Sequence, residues 1–210
     1  MKKKHRDSQK RIYFEDAVYF VTCKTKDGYP YFKESIFCDL FVENLRICKK
    51  LKGFYLYGWV LLYNHFHLLV RPNDEFNVSE VMFSIKKQFS HDVNRVIGYN
   101  QKYPDMYPPK ARKRLRAFGG VGANLCENIT NHQICVNKLH TQFLNKYPSE
   151  LFPKFQWQLS YHDHYIRNDN DFDYHMDYMI WNPDKHKMPN NWKYILTNPD
   201  YDDLVDEIGL

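Results

Sequence analysis

The chain has 210 residues, with 30 lysines and arginines against 25 acidic residues, for a formal net charge of +5. This length fits one domain. A composition of 43% hydrophobic and 26% charged residues argues against wholesale disorder. No uncharged apolar run approaches the roughly 18 residues that cross a bilayer. The basic start is followed by Ala17–Val21, too short for a signal-peptide core. Cys23, Cys38, Cys48, Cys126 and Cys135 form no CxxC pair. They read as reduced thiols in a cytoplasmic protein with no membrane association.

In chain order, Tyr19–Thr25 alternates and is rich in β-formers, so it predicts a strand, and Asp27-Gly28 marks a turn. Phe37, Phe41, Leu45, Cys48 and Leu51 recur at helical spacing and predict a helix over 34–51 that ends at Gly53. Tyr55–Leu62 and His65–Arg71 predict two strands joined at Tyr63-Asn64. Val78, Met82, Ile85, Phe89, Val93 and Val96 form a helical stripe that Gly98 stops. Lys86, Lys87 and Arg95 fall off that stripe, towards solvent.

The pattern then breaks. Prolines, the basic block Lys110–Arg116 and Gly119-Gly120-Val121-Gly122 follow in quick succession. Residues 99–150 read as an insertion, helical from about Asn131 to Leu144. Phe155–Arg167 reads as extended and Phe172–Trp181 as helical. Residues 197–210 form an acidic C-terminal tail. Without Asp200, Asp202, Asp203, Asp206 and Glu207, the formal balance rises from +5 to +10, so the body reads as a polyanion binder. The element order predicts a single α+β domain over 1–210, an antiparallel sheet with helices packed on one face.

Two patterns carry chemistry. In His65-Phe66-His67 the two imidazoles point to one face of a strand, about 6.6 Å apart. Phe66, Leu68 and Val70 then point into the core, and the histidines face the bare side of the sheet. Such a pair can converge on one divalent ion. The competing account is two half-buried histidines bonded to neighbours. His162-Asp163-His164 repeats the pattern in a more polar segment, where phosphate binding or a structural role competes. The second pattern is Tyr178 and Asn182, at i and i+4 on one helix face. A tyrosine can act as a nucleophile towards phosphate, and an amide oxygen one turn on can complete a metal's shell. Tyr174 competes from the same face.

Together these segments resemble the HUH single-tyrosine transposases of insertion sequences, and among them the REP-associated tyrosine transposases. Tyr19–Thr22 is similar to the family's first strand, and Leu62-Tyr-Asn-His-Phe-His-Leu-Leu69 to its metal strand. Family members commonly have Met-Pro-Asn-His where this chain has Leu62-Tyr63-Asn64-His65. Ile85-Lys-Lys-Gln-Phe89 resembles the second long helix. His164-Tyr-Ile-Arg167 with Tyr178-Met-Ile-Trp-Asn-Pro183 resembles the terminal block. The resemblance covers roughly residues 12–98 and 155–190.

It implies a ferredoxin-like fold acting on single-stranded or hairpin DNA. His65, His67 and Asn182 would hold Mg²⁺ or Mn²⁺, and Tyr178 would attack the scissile phosphate to leave a 5′-phosphotyrosine and a free 3′-OH. Lys86, Lys87, Lys113, Arg114, Arg116 and Arg167 are the expected DNA contacts, in a monomer or homodimer. Three other readings remain open: a non-cutting, domesticated DNA-binding module of the same fold, a replication or mobilisation initiator, and an unrelated metal hydrolase built on His-x-His.

Overall fold

The computed structural model describes residues 13–14, 16–99, 120–147 and 152–207; the side chains of 120–126, 128 and 129 are not described. The N-terminal basic run and the Lys110–Arg116 block lie outside the described residues.

Four strands form one sheet: β1 (Tyr19–Lys24), β2 (Tyr55–Leu62), β3 (His65–Arg71) and β4 (His162–Tyr165), in the order β2-β3-β1-β4 with every neighbouring pair antiparallel. With helix α1 (Ser35–Lys52) between β1 and β2, and α2 (Val78–Val96) between β3 and β4, this is the ferredoxin-like α+β arrangement. α1 ends where Gly53 adopts φ +60° and donates its N–H to the Lys49 carbonyl, a left-handed stop that glycine makes at low cost. Asn77 and Glu80 cap α2 reciprocally, satisfying amides that the first turn leaves unbonded.

The strand period of two sorts the side chains. Tyr19, Val21, Cys23, Trp59, Leu61, Phe66, Leu68 and Val70 face α1 and α2 in the main core. The whole α2 stripe, from Val78 to Val96, is fully buried there. Helix α3 (Gly120–Lys146) lies in the expected insertion and packs on α1 and α2. It is tied to α2 by His132, whose Nε2 is 2.8 Å from Asp92 Oδ2. Burial alone would raise the Asp92 carboxyl, but hydrogen bonds from His132, His91 and Gln88 hold it below the usual carboxylate range.

The opposite face carries Phe20, Tyr57, Val60, Leu62 and Leu69. It is not bare as the alternation suggested. Helix α4 (Asp169–Lys185) crosses it, seating Met179 and Met176 against β2. A Cβ at Gly58 would come within 2.5 Å of Met179 Cε and 2.9 Å of Met176 Sδ, so the bare glycine leaves room for the tips of these two methionines of α4. α4 also runs two residues past Pro183. Pro183 removes an N–H and its ring crowds the preceding turn, yet the last turn still closes through His186 N–H to the Asn182 carbonyl, 3.0 Å.

The acidic C-terminal stretch is docked. Asp203 accepts from Arg46 at 2.6 and 2.8 Å, Asp206 accepts from the Leu56 N–H and pairs with Lys49, and Leu204 is buried.

Candidate metal and nucleophile site

His65 and His67 occupy alternate positions at the start of β3, so both project towards α4. They are 6% and 3% exposed, which corrects the expectation that they face open sheet. The cause is α4: the Tyr178 ring stands edge-on to His67 at 5.3 Å and to Phe20 at 5.8 Å, and Phe20 stacks on His67 at 5.1 Å.

Each imidazole is held by its Nδ1. Asn64 Nδ2 donates to the Gly28 carbonyl, so the Asn64 oxygen faces His65 Nδ1 at 2.7 Å. That nitrogen therefore carries the proton and Nε2 keeps its lone pair. Thr22, the β1 partner of His67 in the sheet register, places Oγ1 2.8 Å from His67 Nδ1. Supporting hydrogen bonds of this kind orient histidine ligands.

Burial lowers the His65 imidazole to about 4, with His186 and Lys24 adding to it. Burial lowers His67 to about 3, with His65, His186, Lys24 and Lys185 adding. Both rings are thus neutral near pH 7, the form that binds metal.

Asn182 is fully buried. Its Nδ2 donates to the Tyr178 carbonyl at 3.3 Å. Its Oδ1 and His67 Nε2 are buried without a hydrogen-bond partner among the described residues. An unmet buried acceptor costs roughly 1–3 kcal/mol, and a divalent ion within reach of either atom would satisfy it. The donor set of two imidazoles and an amide oxygen fits a metal; Mn²⁺ accepts imidazole more readily than Mg²⁺ does.

Tyr178 is partly exposed, with Lys185 Nζ 5.0 Å from its ring centre. Its rival Tyr174 is 66% exposed and touches His175 instead. Four neighbours escaped the sequence reading: Thr22, Lys24, Lys185 and His186. The His186 ring lies edge-on to His65 at 5.0 Å. They come from β1 and from the C-terminal end of α4, far apart in sequence, so only the fold assembles them.

The expected DNA contacts are not all on this face. Lys86 and Lys87 lie on α2, across the sheet from Tyr178. With Lys52 and Lys154 they line a groove of about 980 Å³ that also exposes Phe83 and Leu159. Lys86 Nζ donates to the Gln158 carbonyl at 3.1 Å. Arg167 is exposed at the start of α4, where its N–H bonds Asp171. Lys113, Arg114 and Arg116 are outside the described residues.

No protein-family model matches the chain. A curated relative, a REP-associated tyrosine transposase of Haemophilus influenzae, is 35% identical over 83 residues, 33% of this chain; the match spans 47% of that relative, about half its length. A solved structure of a REP-associated tyrosine transposase bound to a REP hairpin superposes with a TM-score of 0.59 at 17% identity, over 96% of this chain and 89% of that one. The chain thus resembles the REP-associated tyrosine transposases in sequence and shares their fold. Among the described residues, no helix is long and apolar enough to cross a membrane.

Proposed function

We propose that this chain cuts and rejoins single-stranded DNA by transient covalent attachment to Tyr178, in the manner of the transposases it resembles. One observation carries the reading. Tyr178 lies against His67, and His67 Nε2 and, one turn of α4 from Tyr178, Asn182 Oδ1 are each buried acceptors without partners among the described residues.

His65, His67 and Asn182 would hold a divalent ion, which when bound polarises a phosphate oxygen and neutralises its charge. The chain's own residues do the rest. α4 holds the Tyr178 ring against His67, partly exposed, and Lys24 and Lys185 supply positive charge for a phosphate. The tyrosine oxygen attacks phosphorus and its proton passes to solvent. The P–O3′ bond breaks, and the departing 3′-oxygen takes up a proton. This leaves a 5′-phosphotyrosine and a free 3′-OH. Attack by a 3′-OH on that ester reverses the step and joins strands, so bond energy is conserved without a nucleotide cofactor. The α2 groove supplies lysines for backbone phosphates and exposed apolar surface for bases. A hairpin, the form bound in the solved transposase structure of the same fold, is the proposed substrate.

The test is a labelled single strand offered to wild-type protein with Mn²⁺ and with EDTA. A protein-linked label that needs metal and disappears in H65A/H67A supports the reading. Metal-dependent hydrolysis with no covalent species would instead favour a metal hydrolase.

A further inference from the structure

The second His-x-His motif does not join the site above. The β1–β4 register pairs Phe20 with His164 and Thr22 with His162. His164 therefore faces the α4 side of the sheet. It is separated from the β3 histidines by β1, roughly 10 Å at two inter-strand steps. There α4 presents Asp171 and His175, one turn apart.

We propose that His164, Asp171 and His175 form a second transition-metal site, which clamps the tyrosine helix to the edge strand. One ligand atom from each lies within 4.8 Å of the others. His164 Nε2 is 2.9 Å from Asp171 Oδ2, and His175 Nδ1 is 3.3 Å from Asp171 Oδ1 and donates to the Asp171 carbonyl at 2.7 Å, a bond and a proton it would give up on binding metal. A first-row ion with bonds of about 2.1 Å sets neighbouring ligands roughly 3.0–3.4 Å apart, so an ion fits among these atoms once His175 Nδ1 releases its proton and the Asp171 carbonyl. Two imidazoles and one carboxylate suit Zn²⁺, Co²⁺ or Ni²⁺ better than Mg²⁺ or Ca²⁺.

The cluster is supported as a ligand set should be. The Arg167 N–H donates to Asp171 Oδ2 at 3.0 Å, and the Asn168 side chain caps the Asp171 N–H. The His164 and His175 rings stack at 4.7 Å, and Phe20 packs on His175 at 4.4 Å as an apolar wall towards the first site. Side-chain exposures of 35% for His164, 19% for Asp171 and 12% for His175 leave one side open to solvent, for a water or an exogenous ligand. His162 is exposed and outside the cluster.

The clamp joins β4 to the first two turns of α4, one turn before Tyr178. The metal site itself does not depend on Tyr178 being the nucleophile, and its test reads metal rather than activity. EDTA-stripped protein is titrated with Co²⁺ and followed by its visible absorption and by bound-metal analysis. The H65A/H67A variant should retain one equivalent. Adding D171N or H175A should abolish it, with a loss exceeding the roughly 10–100-fold that removal of a supporting partner costs. H162A should leave it intact. In case H65A/H67A does not fold, the wild type serves as the second arm and should lose one equivalent on D171N or H175A alone. Hydrogen exchange in α4 should slow when Co²⁺ fills the site. Co²⁺ stoichiometry and absorption that are identical in wild type, D171N and H175A would overturn the site and leave a metal-free ion-pair cluster.

Discussion

Acidifying the metal-free protein should destabilise it through His65 and His67. An unfolded imidazole titrates near 6.5, whereas burial lowers the folded values to about 4 and about 3. Below pH 6.5 the unfolded chain therefore binds more protons than the folded one. Stability is full above that pH and is lost as pH falls towards the folded values. At about 1.4 kcal/mol per unit for each group, the pair loses about 4 kcal/mol between pH 7 and 5. His186, also lowered by burial, acts in the same direction. The depressed carboxylates Asp92, Asp171, Asp203 and Glu34 start from ordinary values of 3.8 to 4.5, so their loss begins below this window. Urea denaturation in EDTA at both pH values measures the difference, and H65Q/H67Q should remove most of it. Mn²⁺ at a hundred times its dissociation constant should add about 2.7 kcal/mol to the wild type at pH 7. A pH dependence that is unchanged in H65Q/H67Q would refute the assignment of these rings as buried and neutral.

Three further outcomes follow from the packing and the charges. Gly58→Val should displace the Met176 and Met179 side chains and cost roughly 1–3 kcal/mol in denaturant unfolding by overpacking; a loss under about 0.5 kcal/mol would mean the methionines move aside freely. Leu204→Ala should cost about 3 kcal/mol in denaturant unfolding, because the C-terminal segment is packed against α1; a loss under about 0.5 kcal/mol would mean it is not. Neutralising Lys86 and Lys87 should flatten the salt dependence of single-strand binding by about 0.7 in log–log slope for each phosphate the protein no longer neutralises, and K113Q/R114Q/R116Q tests the basic block in the same titration.

The fold was legible where apolar residues run densely or recur at a regular period. β2 and β3 read correctly because Trp59, Leu61, Phe66 and Leu68 alternate with residues of the other face, and α2 because its stripe runs unbroken from Val78 to Val96. β4 was blurred into a longer extended segment: it has four residues, His162–Tyr165, and pairing with β1 defines it more than its own pattern does. α4 gave the least warning of its position. Its buried contacts rest mainly on Met176, Met179 and Asn182, too narrow a stripe to announce which face it covers. The pairing of His65 with His67 and of Tyr178 with Asn182 follows from strand and helix periods. That Tyr178 meets His67, while Lys24 and His186 flank the pocket, requires the register of β1 on β3 and the crossing of α4, which no local spacing encodes.

Peptide mapping of the covalent DNA adduct identifies the nucleophile. Wild-type protein is reacted with a labelled single strand in Mn²⁺, digested, and sequenced by mass spectrometry, alongside Tyr178→Phe and Tyr174→Phe. A nucleotide phosphoester on Tyr178 is expected, with no adduct in Tyr178→Phe, DNA binding kept within about 1 kcal/mol, and a normal adduct in Tyr174→Phe. An adduct that persists in Tyr178→Phe, or that maps to Tyr174 in the wild type, would contradict Tyr178 as the nucleophile.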